Sequence, residues 1–287
     1  MKSSTSEFLT IRGLKSHVRL WGPAGAPKLF LLHGWMDCSA SFQFLVDAFA
    51  RDWRVIAPDW RGFGLSEWLN GPYWFPDYLA DLERLLDHYA PDEPVRLAGH
   101  SMGGNVAGLY AGARPARVAK LAILEGFGLH STEPAQAPGR YAKWLDQDKA
   151  GATLRDYADL DEFATRLMRD NPRLTQAQAE FLAANFSQRR PDGRFGYAAD
   201  PWHRVINPVL YRFEEAKACW RAMTAPVLWV VARDSHLYKE FAGRSEDYAA
   251  RLASFARLRE VVLDDCGHML QHDQPQRLAQ VVEQFLG

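Results

Sequence analysis

The sequence predicts an α/β fold, a mostly parallel sheet of eight strands with helices on both faces. Short apolar runs rich in β-branched residues alternate with stretches of helical periodicity from the N-terminus onward, as crossover-connected parallel strands do. Hydrophobic residues make up 47% of the chain and are spread in short runs, which argues against disorder and fibrous repeats. At 287 residues the chain has room for one such domain and an insertion.

The opening strands, Phe8–Arg12 and His17–Trp21, are separated by a short turn at Gly13, so an antiparallel hairpin is expected at one sheet edge. The runs Lys28–Leu32, Arg54–Pro58, Val95–Ala98, Val118–Leu124, Val227–Ala232 and Leu258–Leu263 are expected to pair in parallel. Between them, Tyr78–Tyr89 places Leu79, Leu82, Leu85 and Leu86 at helical spacing and predicts one buried stripe.

The alternation stops after Gly126, where about a hundred residues precede the next strand, far more than a connecting loop needs. Helical patterns at Gly139–Leu145, Leu160–Met168 and Gln176–Phe186, broken by Pro172, Pro191 and Gly193, predict a helical cap. The expected division is a core of residues 1–126 and 213–287 with an inserted cap at 127–212. Trp202, His203, Tyr211 and Phe213 are candidate pocket-lining residues, although each also suits the cap's own core.

Thirty-four Lys and Arg stand against 35 Asp and Glu, so nothing in the balance attracts nucleic acid or an anionic membrane, and the expected partner is a small-molecule substrate. Residues Met1–Gly13 carry one early Lys and no apolar stretch of signal-peptide length, and no later run approaches spanning length. A cytoplasmic location is expected. Cys38, Cys219 and Cys266 are odd in number and lack metal spacing, so free thiols are expected, with no metal and no cofactor.

Val95–Ala98 runs into Gly99-His100-Ser101-Met102-Gly103-Gly104 and then the small-residue helical run Asn105–Ala113. In such a strand–turn–helix the serine is held in a strained conformation, and Gly99 and Gly103 avoid collision with crossing backbone. Ser101 is therefore the candidate nucleophile. The turn Leu32-His33-Gly34-Trp35 can aim the Trp35 N–H at the same edge, where Met102 N–H is its natural partner for an oxyanion. His33 is read as a brace for this turn, and Asp37, Asp59 and Arg61 as loop braces. After Leu258–Leu263, the run Asp264-Asp265-Cys266-Gly267-His268 sets His268 in a loop before a helix near Gln274. His268 is the expected general base on chain order and loop position, with His272 its competitor.

At these residues the chain resembles the α/β-hydrolase family over nearly its whole length. The stretches His33-Gly34-Trp35-Met36-Asp37, Pro58-Asp59-Trp60-Arg61-Gly62-Phe63-Gly64 and Gly99–Gly104 look like those of cap-bearing members, including serine hydrolase-like proteins. The resemblance implies hydrolysis of an ester-like bond in a small, apolar substrate through an acyl-enzyme. Relatives that cleave C–C bonds or use peroxide, and a silent ligand-binding protein, are the alternatives. The family commonly reads Gly-x-x-Asp after the strand matching Val227–Ala232, whereas here the turn is Ala232-Arg233-Asp234-Ser235. Asp234 is the expected acid on chain order. Glu125 matches the place after the preceding strand that some members use instead.

Overall fold

The computed structural model describes residues 1–287. A hairpin of β1 (Ser4–Ile11) and β2 (Leu14–Trp21) leads to β3 (Lys28–Leu32), α1 (Gln43–Ala48), β4 (Arg54–Pro58), α2 (Pro76–Tyr89), β5 (Val95–His100), α3 (Met102–Ala113) and β6 (Val118–Leu124). The intervening segment carries α4 (Ala137–Ala150), β7 (Asp156–Tyr157), α5 (Leu160–Asp170), α6 (Gln176–Phe186), β8 (Ser187–Arg189) and β9 (Phe195–Tyr197). The chain then returns through α7 (Phe213–Ala222), β10 (Val227–Ala232), α8 (His236–Ala242), α9 (Ser245–Leu252), β11 (Leu258–Leu263), α10 (Leu270–Asp273) and α11 (Pro275–Leu286).

The main sheet has eight strands in the order β1-β2-β4-β3-β5-β6-β10-β11. The six expected parallel strands pair in parallel, and β2 joins β4 antiparallel. The period-2 alternation of a strand sorts one buried run onto two faces. Val227, Trp229 and Val231 of β10 pack with α2, α3 and α7, while Leu228, Val230 and Ala232 pack with α1 and α11.

The intervening segment is not helical throughout. Beside its helices, β7, β9 and β8 form a small antiparallel sheet. Pro191-Asp192-Gly193, expected from the sequence to separate helices, is the turn of a hairpin. Gly193 there adopts φ 89°, and Arg190 N–H donates to the Arg194 carbonyl at 2.7 Å, so a break and a hairpin share one residue signature. Helices α5 and α6 bury Phe163, Leu167, Ala179, Leu182 and Phe186 together with Cys38 and Ala40 of the loop after β3. That apolar cluster seats them over the carboxyl edge of the sheet.

The loops at this edge are tied by Asp59, which follows β4 and is buried. Its carboxylate accepts from His17 Nδ1 at 2.7 Å, from Ser39 N–H at 2.6 Å and from Leu65 N–H at 2.9 Å. Burial alone would push Asp59 up; the His17 contact, the nearby His33 ring and the amide donors bring it down to about 2. A carboxyl depressed by folding stabilises above its unfolded pKa, near 4, and loses that contribution as pH falls towards 2. Asp59→Asn is therefore expected to lower urea stability at pH 7 by about 2–4 kcal/mol. The deficit should shrink as both proteins are titrated through that acid window; a deficit independent of pH would show that packing, not charge, is lost.

Candidate active site

β5 ends at His100, and the backbone reverses at Ser101 with φ 50° and ψ −115° before α3 begins at Met102. A non-glycine residue at positive φ costs about 1–3 kcal/mol. The turn is held by Ser101 N–H donating to the Leu124 carbonyl at 2.8 Å and by Asn105 N–H donating to Ser101 O at 3.0 Å. A Cβ on Gly99 would lie 2.4 Å from Gly103 O, and one on Gly103 would lie 2.2 Å from Leu32 O. Neither position can carry a side chain, so the turn needs both glycines.

His268 sits in the loop after β11, with its Nε2 3.1 Å from Ser101 Oγ. Its Nδ1 lies 3.1 Å from Glu125 Oε2. A carboxylate only accepts, so Nδ1 carries the proton and Nε2 is left to accept from the serine hydroxyl. Glu125 is buried, and its backbone is locked in turn: its N–H donates to the Val230 carbonyl at 2.9 Å, and its Oε1 accepts from Ala232 N–H at 2.6 Å. These bonds fix the carboxylate at the end of β6, between the nucleophile strand β5 and β10.

The structure does not bring Asp234 to this line. Its carboxylate accepts from Arg173 Nη2 at 2.8 Å, has Lys239 Nζ at 3.7 Å, and is 40% exposed. The turn after β10 is too short to carry it inward: Asp234 N–H donates to the Cys266 carbonyl, and Ser235 already caps α8. Of the two candidate acids, Glu125 is the one that contacts His268.

His33 behaves as a brace. Its Nδ1 donates to the Gly34 carbonyl at 2.7 Å, and its Nε2 accepts from Trp60 N–H at 2.9 Å. Burial brings its pKa down to about 4, so it is neutral near pH 7. His272 is also buried, is pushed down to about 4 by burial, and is turned to Ser41 Oγ at 2.8 Å rather than to Ser101. Asp37 and Arg61 are buried, and Arg61 makes a two-pronged pair with Asp81.

A cavity of about 200 Å³ opens at Ser101. Its floor holds Gly34, Trp35, Asp37, His100, Ser101 and His268, and its roof holds Leu167, Leu174, Leu182, Phe186 and Tyr197. The Gly34 turn lies close to the nucleophile, since a Cβ there would sit 3.3 Å from Ser101 Cβ. Met102 N–H, in the first turn of α3, is among the donors that no intrahelical carbonyl reaches. Trp202, His203, Tyr211 and Phe213 do not line this cavity. His203 stacks between Phe63 and Tyr73, with ring centroids 3.7 Å away in each case, and Phe213 is buried beneath the Arg251 guanidinium. The roof residues were not identified from the sequence. The spacing of Phe163 and Leu167 marks an apolar face on α5, but not where that face turns.

The three cysteines are free, with Cys38 and Cys266 buried. No group of three or more His, Cys, Asp or Glu side chains converges as a metal site, and no helix is long and apolar enough to cross a membrane.

This sheet order, with a strained serine after β5 and a histidine after the last strand, defines an α/β hydrolase. The family model described as alpha/beta hydrolase fold matches residues 27–275, and the chain belongs to that family. It is 27% identical to a serine hydrolase-like protein of Danio rerio over all of this chain and 90% of that protein. It is 30% identical to the lipase LipV of Mycobacterium tuberculosis over 94% of this chain and 97% of that one. Among solved structures, a thioesterase domain from the curacin biosynthetic pathway superposes with a TM-score of 0.86 at 25% identity, covering 98% of this chain and 99% of that one. Family and relatives alike support a hydrolase.

Proposed function

We propose that the protein is a serine hydrolase that cleaves an ester-like bond of a small apolar substrate through an acyl-enzyme on Ser101. The observation that carries this reading is the continuous line from Ser101 Oγ to His268 Nε2 and from His268 Nδ1 to Glu125, with both contacts at 3.1 Å. In the proposed reaction, His268 takes the hydroxyl proton as Ser101 Oγ bonds to the substrate carbonyl carbon. The N–H groups of Trp35 and Met102 receive the oxyanion. As the tetrahedral intermediate collapses, the bond to the leaving group breaks and the leaving oxygen or sulfur receives the proton from His268. Water, deprotonated by the same base, then releases the acid and restores Ser101. Glu125 holds the imidazole tautomer and stabilises the imidazolium.

The cavity supports a small, apolar substrate. About 200 Å³ is small beside a drug-sized pocket, and the roof is mainly aliphatic and aromatic. Residues 127–212 are proposed to act as the cap that supplies this roof. A fluorophosphonate probe is expected to label Ser101 in the wild type and not in Ser101→Ala, read by intact mass and peptide mapping. In a p-nitrophenyl ester series, butyrate is expected to exceed octanoate in kcat/KM by about tenfold. A folded wild type that takes no label and cleaves no ester would remove this reading.

A further inference from the structure

Asp273 ends the single turn α10 that follows the base loop, and its two carboxylate oxygens serve two different parts of the chain. Oδ2 accepts from Gly267 N–H, the amide one residue before His268, at 2.7 Å. Oδ1 accepts from Asn171 Nδ2, also at 2.7 Å. Asn171 belongs to the inserted segment, at the corner between α5 and α6, and lines the cavity together with Leu167 and Leu174.

The corner presents the Asn171 amide in one sense only. Asn171 N–H donates to the Leu167 carbonyl at 2.8 Å, which ends α5, and Asn171 Oδ1 accepts from Arg173 N–H at 3.2 Å. With its oxygen so engaged, the side chain turns its NH2 group to Asp273, as a carboxylate that only accepts requires. A second tie at the same corner is Gln178 Nε2 donating to the His272 carbonyl at 3.2 Å.

On the other side the base loop is closed on itself. The Met269 carbonyl accepts from His272 N–H at 2.8 Å and from Asp273 N–H at 3.1 Å, and the Asp273 carboxylate returns to Gly267. A shift of that carboxylate therefore shifts the backbone carrying the His268 ring. A carboxylate needed only to stiffen the loop would serve with its second oxygen in water. Here that oxygen is spent on the wall of the cavity.

Resting on the proposed Ser101–His268 chemistry, we propose that Asp273 is a positioning residue that couples the α5–α6 corner to the base. With the corner closed, Asn171 holds the carboxylate, the carboxylate holds Gly267, and His268 Nε2 is kept against Ser101 Oγ. With the corner lifted, the carboxylate is free to rotate and the base loop loosens. Substrate bound beneath the corner thus completes the alignment of the base that acts on it. The neighbouring Arg173–Asp234 pair, each side chain about 40% exposed, is screened by water and does not contact the Gly267 amide.

The experiment compares Asn171→Ala, Asp273→Asn, Asn171→Asp and the exchange that combines the last two. Asn171→Ala removes the tie to the corner and leaves the Gly267 bond. Asp273→Asn sets amide against amide, and Asn171→Asp sets carboxylate against carboxylate. The exchange restores every bond at unchanged net charge: the carboxylate at 171 accepts from Arg173 N–H and from the amide at 273, whose oxygen accepts from Gly267 N–H. With a butyrate ester, each single variant is expected to lose about 5- to 30-fold in kcat with KM within about threefold. The exchange should regain about fivefold or more over the poorer single variant, with thermal transitions confirming that all four fold. An unchanged kcat in Asn171→Ala, or an exchange no better than the poorer single variant, overturns the proposal.

Spectra of 15N-glycine-labelled protein give a readout independent of turnover. Gly267 is assigned by Gly267→Ala, where the added methyl meets nothing nearer than Arg173 Nη1 at 3.5 Å. The Gly267 amide proton, bonded to a carboxylate, is expected downfield in the wild type, to move upfield in Asp273→Ala and to move part of that way in Asn171→Ala. A Gly267 signal that does not respond to Asn171→Ala overturns the coupling even in an active esterase. The expected shifts in a protein that cleaves no ester uphold the coupling and count against the hydrolase reading alone.

Discussion

Ser101→Ala is expected to lower kcat on a short-chain ester by about 10⁴- to 10⁶-fold, with the fold and thermal transition preserved. The magnitude reflects the groups that the substitution leaves in place. The proposed oxyanion donors and the cavity remain, so weak catalysis by bound water can persist, but covalent attack cannot. Stability should not suffer, because alanine keeps the Ser101 N–H bond to Leu124 O; the strained φ of 50° is retained with it. Residual activity within about tenfold of wild type, with folding shown by circular dichroism, would mean that another group reacts.

The second large effect separates the two carboxylates. Glu125→Gln is expected to cost about 10⁴-fold in kcat, while Asp234→Asn should stay within about threefold. In Glu125→Gln the side-chain oxygen can still accept from Ala232 N–H, so the end of β6 stays anchored. The amide then presents a donor to His268 Nδ1. That forces the ring proton onto Nε2, where it blocks transfer from Ser101. Asp234→Asn weakens a partly exposed pair with Arg173, of the kind worth at most about 1 kcal/mol. Steady-state kinetics of the two variants side by side decide the matter; a large loss in Asp234→Asn with Glu125→Gln intact would reverse the assignment.

The centre of the sheet was legible in the sequence because strands such as Lys28–Leu32 and Val227–Ala232 are buried on both faces and read as nearly unbroken apolar runs; the edge strand Leu258–Leu263 is mostly outside the core and was marked by its β-branched residues instead. The elbow was legible because close backbone contacts leave only glycine at 99 and 103, a constraint that marks the sequence directly. The acid was not, since both candidates are single carboxylates at strand ends. What separates them is the direction of one turn, set by the short link from Ala232 to the Ser235 cap of α8. The cavity roof was hidden for a related reason: α5 and α6 show which residues are apolar, but their docking on Cys38 and Ala40 decides which of those reach Ser101. The hairpin at Pro191–Gly193 escaped because proline and glycine end a helix and turn a hairpin equally well.

Seating the proposed acid, Glu125, at the end of β6 also affects how the chain can assemble. Serine and glutamate stand on neighbouring parallel strands joined by one crossover helix, α3, so both arrive with a single β–α–β unit of short loop closure. Only the histidine must be delivered from far along the chain, when β11 adds to the sheet edge. An acid after β10 would have required two such distant arrivals.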